Sequence, residues 1–251
     1  SQGATIFFCT HFFLENKKLE KEWVRSFTFI LGSDQFGRDV LSRIIFGARV
    51  SLSVGICAST LSLLIGVLLG GVAGFFGRHI ETFIMRLTDI MFGFPVLLFL
   101  IAITTVFEPS LMVVFIAIGV VTWPGIARLV RGQVLSIKSQ EYVLAARTLG
   151  LGSGRVLWNH VFPNCMSPVI VAYTLGVGSA ILAEASLSFL GLGAQPPTAS
   201  WGSMINLGKD FIRTAPWISV APGAVIAFTV LSFNLVGDNI RDYLDPKMNS
   251  K

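Results

Sequence analysis

From Val50 to Phe76 the chain runs 27 residues without a charged side chain, bounded by Arg49 and Arg78. As a helix that stretch is about 40 Å long at about 1.5 Å per residue, more than a hydrocarbon core of about 30 Å, so the pattern predicts a tilted membrane span. Gly66, Gly70 and Gly74 recur every fourth residue within it, on one helix face, which lets a neighbouring helix approach closely. Two shorter apolar runs follow, Phe92 to Phe107 and Leu111 to Trp123, separated by Glu108-Pro109-Ser110, and the second can continue through Pro124-Gly125. Val169 to Phe189, interrupted only by Glu184, and Trp217 to Val236 complete five predicted spans. The expected fold is all-α and polytopic: a flank over residues 1–49, a membrane domain over 50–246 and a tail over 247–251.

Loop charges orient these spans. Reading 92–107 and 111–123 as two helices puts the loop from Gly77 to Met91, with Arg78 and Arg86, on the same side as the loop from Pro124 to Ser167. The latter carries Arg128, Arg131, Lys138, Arg147 and Arg155, and the basic side is the cytoplasmic one. The loop from Gly191 to Pro216 holds only Lys209 and Arg213. The first 49 residues fall on the extracytoplasmic side in this arrangement although they hold seven Lys and Arg, and long flanks weigh little in that rule. The stretch from Ala4 to Phe13 is too short to span, and it has neither a basic leader nor a small-residue cleavage site.

Composition agrees with a lipid setting. Hydrophobic residues make up 53% of the 251 positions and charged residues 13%, against about 25% in soluble domains. The net charge of +5 does not point to nucleic acid, because the basic residues sit in short loops and form no stripe interleaved with aromatics. Cys9, Cys57 and Cys165 are far apart and suggest neither a disulfide framework nor a zinc site. His11, His79 and His160 each lack a second ligand at helical spacing, so no metal site is expected.

The basic loop contains the run Glu141-Tyr142-Val143-Leu144-Ala145-Ala146-Arg147-Thr148-Leu149-Gly150, then Arg155 and, after Val161, Phe162-Pro163-Asn164. It reads as a short helix over Val143 to Leu149 that Gly150 ends, with small Ala145 and Ala146 leaving room for close approach and Val156, Leu157, Val161 and Phe162 supplying apolar contacts beyond the turn. Such a stub suits docking against a partner. The run resembles the cytoplasmic EAA loop of binding-protein-dependent ABC importer permeases. The resemblance extends to Leu31-Gly32-Ser33-Asp34-Gln35-Phe36-Gly37-Arg38-Asp39 with Arg43, to Ala183-Glu184-Ala185-Ser186 with Gly191-Leu192-Gly193, to Pro196-Pro197 with Trp201-Gly202, and to Gly237-Asp238 with Leu244-Asp245-Pro246. In that order these blocks look like the C-type permeases of the dipeptide, oligopeptide and nickel class. Leu144 stands where the family's motif has a glutamate, and the family pattern of six spans implies one more ahead of Leu31.

The resemblance implies a transport subunit and not an enzyme, moving peptides or a related solute such as nickel complexes. It implies a second permease subunit, two ATPase subunits and an extracytoplasmic solute-binding protein as partners. Glu141, Tyr142, Ala145, Ala146, Leu149, Gly150, Arg155 and Pro163 would form the ATPase-coupling loop. No cofactor is expected on this chain: GxxxxGK[ST] occurs nowhere in the sequence, and ATP with magnesium would be held by the partner ATPases.

Glu184 is the only carboxylate well inside a predicted span, where an unpaired charge would cost roughly 3 kcal/mol or more. Two roles stay open for it. It either serves the pathway as a gate or ion site, which would suit an autonomous channel or ion-coupled transporter, or it is a carboxyl tied to nearby serines or backbone that holds helices together. A membrane enzyme is disfavoured, since the spans show no paired acids, no His/Asp cluster and no nucleophile beside a base.

Overall fold

The computed structural model describes residues 29–244 except positions 109 and 196, so most of the flank, Pro196 and the tail from residue 245 lie outside the described residues. Nine α-helices are described, with one isolated antiparallel bridge between Ser33 and Asp39.

Helix α1 (Val40–Phe76) starts ten residues before the charge-free run because Asp39 caps it. The Asp39 carboxylate accepts from the backbone N–H of Ser42 at 3.0 Å and of Leu41 at 3.3 Å, satisfying donors that a helix start leaves open. At 37 residues α1 is about 55 Å long, so its two ends lie at opposite ends of the molecule. The segment expected as a basic loop, Gly77 to Met91, is instead helix α2 (Arg78–Phe92). Its acids are drawn to a neighbour: Glu81 pairs with Arg131 and Asp89 with Arg128, 2.5 Å apart. Helix α3 (Val96–Val106) follows at 87° to α2. Pro95 has no N–H to offer and disfavours helical geometry at Phe94, which breaks the helix there.

The run 92–107 is therefore not a straight span. At eleven residues α3 reaches about 16 Å, too short to cross alone. Among the described residues four helices are long and apolar enough to cross a membrane, or five if the bent α2–α3 pair counts as one. The other three are α4 (Leu111–Ile137), which continues through Pro124; α7 (Phe162–Phe189); and α9 (Trp217–Leu244). Short helices α5 (Glu141–Thr148), α6 (Ser153–Val156) and α8 (Trp201–Gly208) lie between them. A π-helical turn, Leu157–Val161, joins α6 to α7, so that Ser153–Phe189 is one continuous helical stretch.

The main packing seam is α1 on α4, where the glycine row lies. A Cβ at Gly70 would meet the Ala127 carbonyl oxygen at 2.4 Å, at Gly66 the Ile126 Cβ at 2.5 Å, and at Gly74 the Val134 Cβ at 2.8 Å. Backbone and side chain of α4 occupy the space that larger residues would need, as in small-residue helix contacts in membranes. Lys138, just past α4, donates a 2.6 Å hydrogen bond to the Gly74 carbonyl and so satisfies a last-turn acceptor of α1.

Candidate functional site

The EAA-like run forms α5, with a seated face and a free face. Val143 and Ala146 are buried in a cluster with Val130, Val134, Val156, Val161 and Phe162, which fixes α5 to the ends of α4 and α7. The helix separates the two small residues that the sequence placed on one surface: Ala146 is 6% exposed against the chain's own core, and Ala145 faces out. Ala146 thus seats the helix, because residues one apart on a helix point about 100° from each other. Glu141, Tyr142, Leu144, Ala145 and Leu149 are exposed, Leu149 to 83%. Arg155 and Pro163 are also exposed, beyond the turn.

Gly150 ends α5 at φ +81°, where a side chain would be strained. Its N–H donates to the Arg147 carbonyl at 3.0 Å and the next N–H, of Leu151, to the Ala146 carbonyl at 3.3 Å, the bonding pattern of a Schellman cap. Leu151 then packs on the cluster holding Ala146. The Arg147 guanidinium lies 4.7 Å from the centre of the Phe75 ring, a contact from α5 to the end of α1 that sequence alone did not reveal.

Glu184 lies about 40 Å further along the same helical stretch from Leu157. Its side chain is 0% exposed. Ser188 donates to Oε1 at 2.6 Å and Ser51 to Oε2 at 3.0 Å. The Ser51 hydroxyl also accepts from the Trp201 backbone N–H at 3.2 Å, while Ser200 donates to the Ser188 hydroxyl at 3.2 Å and accepts from Ser203 in the capping box of α8. One carboxyl therefore ties α1, α7 and the start of α8 together. Ser188, one turn after Glu184, was legible from spacing; Ser51 and Ser200 were not. Trp201 seals the cluster, buried, with its indole N–H donated to the Ile44 carbonyl at 3.0 Å.

Among the described residues no group of three His, Cys, Asp or Glu could hold a metal ion. His79 and His160 stand apart, and His11 lies outside the described residues.

Residues 66–250 match the family described as binding-protein-dependent transport system inner membrane component. The chain is 48% identical over 219 residues to the dipeptide transport system permease protein DppC of Alkalihalophilus pseudofirmus, covering 87% of this chain and 72% of that one. It is 44% identical over 217 residues to the oligopeptide transport system permease protein OppC of Bacillus subtilis, covering 86% and 71%. The glutathione transport system permease protein GsiD of Pectobacterium atrosepticum is 40% identical over 220 residues, with 88% and 73% covered. In fold the chain is similar to the MetNI methionine ABC transporter in an inward-facing conformation, at TM-score 0.70 and 15% identity, over 82% of this chain and 98% of that one. This protein belongs to the family of inner membrane components of binding-protein-dependent transport systems, as a multi-pass membrane subunit.

Proposed function

We propose that this chain is a permease subunit of an ATP-driven importer of short peptides or a related small solute, and that α5 is the element through which a partner ATPase moves it. The observation that carries the proposal is the two-faced seating of α5. Val143 and Ala146 lock it to α4 and α7, the Gly150 cap fixes its end, and Tyr142, Leu144 and Leu149 offer an apolar outer face. Relatives named for dipeptides and oligopeptides support the substrate class.

The working assembly pairs this chain with a second permease, two ATPase subunits that hold ATP and magnesium, and an extracytoplasmic solute-binding protein. α5 and the segment between α4 and α7 face the cytoplasm. When the ATPases close, α5 shifts, and the unbroken Ser153–Phe189 stretch carries the displacement toward Glu184 at its far end, so that the pathway alternates between its two openings. Glu184 serves as the latch on that end. An ion-coupled role would need its carboxyl to meet a wet path, whereas both oxygens are sealed and taken by serines.

Affinity purification of the tagged chain from its own cells tests this. An ATPase subunit that co-purifies, and inside-only maleimide labelling of Ser139→Cys, are expected. ATP-independent flux by the chain alone would instead support a channel.

A further inference from the structure

The block from Leu31 to Arg43 has no part in the coupling segment or the Glu184 network, yet it is built around one buried carboxylate. Asp34 Oδ1 accepts from the N–H groups of Phe36 and Arg38, both at 2.9 Å. Its Oδ2 accepts from Arg38 Nε at 2.7 Å and lies 3.7 Å from Arg43 Nε. Trp217 braces the turn by donating to the Ser33 carbonyl at 3.3 Å. Two guanidinium groups thus share the one acid at the centre of this turn.

Arg38 and Arg43 line a cavity of about 280 Å³ between this turn and the segment running into α8, whose other walls set Gln195, Thr198, Ser203 and Asn206 among apolar side chains such as Phe36 and Leu207. Arg38 has donors to spare: of the five N–H groups on a guanidinium one is spent on Asp34, and the side chain is 37% exposed. The other nearby acids are engaged, Asp39 in capping α1 and Glu184 behind Ser188. The cavity lies at the Asp39 end of α1, about 55 Å along that helix from the end where Arg147 meets Phe75.

We infer that this cavity receives the carboxylate of a small solute, such as the C-terminal carboxylate of a short peptide, at the mouth of the pathway opposite the coupling segment. The fork of a guanidinium matches a carboxylate, and the amide and hydroxyl walls suit the peptide backbone behind it. The volume holds the end of a peptide and not a long one, since whole drug-sized ligands occupy about 300–1,000 Å³. The inference rests on the peptide-importer reading, but the two fail separately: that reading on co-purification of an ATPase, this one on the labelling below.

The test uses the whole transporter assembly in lipid nanodiscs, with Asn206→Cys in a Cys9→Ser, Cys57→Ser background and a water-soluble maleimide. Alanyl-alanine is expected to slow labelling saturably, and alanyl-alanine amide, which has the same shape without the carboxylate, is not. Arg38→Gln should raise the half-protecting concentration about tenfold or more, the equivalent of one charge-assisted hydrogen bond. Because Arg38 also braces Asp34, the acid-against-amide comparison in the chain with native Arg38 stands on its own if that variant assembles poorly. Equal protection by acid and amide, protection by neither, or unchanged protection in a well-assembled Arg38→Gln variant would overturn the inference. So would protection by the solute-binding protein without dipeptide, which would assign the cavity to a protein carboxylate.

Discussion

Ser51 of α1 donates a 3.0 Å hydrogen bond to Oε2 of Glu184 in α7, joining residues 133 apart in sequence. If this link is a latch, shape and hydrogen bonding matter and charge does not. Glu184→Gln keeps the shape and, after a hydroxyl rotates, most of the bonds, so it should assemble and transport nearly as the parent does. Glu184→Leu strands the Ser51 and Ser188 hydroxyls at about 1–3 kcal/mol each and should lower the yield of assembled complex. Quantifying assembled complex and dipeptide uptake side by side checks both, and a well-assembled, transport-dead Gln variant would revive the ion-coupled role.

The glycine seam gives a graded set. Gly70→Ala would press a methyl onto the Ala127 backbone, which has no rotamer to yield, and should destabilise by about 1–3 kcal/mol. Gly132→Ala, on the exposed side of α4 with nothing within 4 Å, should be neutral or stabilise by about 0.5–1 kcal/mol. Thermal unfolding of the two purified variants in one detergent should separate them in that order.

Seating and docking of α5 come apart in three substitutions. Ala146→Trp overfills the chain's own cluster and Gly150→Pro removes the N–H that closes the cap, so each should loosen α5 while the spans still insert. Leu149→Asp changes only an exposed side chain, and should leave proteolytic protection of the loop intact while weakening ATPase capture. Substrate-stimulated ATPase activity should fall in all three, and protection only in the first two.

Asp39 adds a pH dependence. The Ser42 hydroxyl bonded to its carboxylate, helped by the backbone N–H groups of Ser42 and Leu41, holds its pKa below the usual carboxylate value. A carboxylate depressed on folding contributes stability that is complete above its unfolded value of about 3.9 and lost as pH falls through the lower folded value. Asp39→Asn keeps a capping oxygen. The stability gap between parent and Asp39→Asn should therefore be constant at neutral pH and shrink below about pH 4.

Much of this architecture was legible because apolar runs announce themselves. The continuation of α4 through Pro124, the helix at α5 and its stop at Gly150 follow from local sequence, and so does Ser188 beneath Glu184, whereas residues 124–137, read as part of the basic loop, are the second half of α4. What was not legible depended on partners far along the chain. Residues 77–91 read as a loop because Glu81 and Asp89 look like solvated charges until Arg131 and Arg128 are placed beside them. The start of α1 was hidden by Arg43 and Arg49, although Asp39 is an ordinary capping residue. Ala146 looked available to a partner because nothing local says which side of a short helix its own core will take.

A photo-reactive benzoylphenylalanine at Leu149, with a second at Phe36 near the opposite end of α1, shows which end of the molecule meets the ATPase. Both side chains are well exposed, so each reports its neighbour in the assembled transporter in cells. An adduct with the ATPase subunit is expected from Leu149 and none with it from Phe36. An ATPase adduct from Phe36, or an adduct with the extracytoplasmic binding protein from Leu149, would contradict the coupling role of α5.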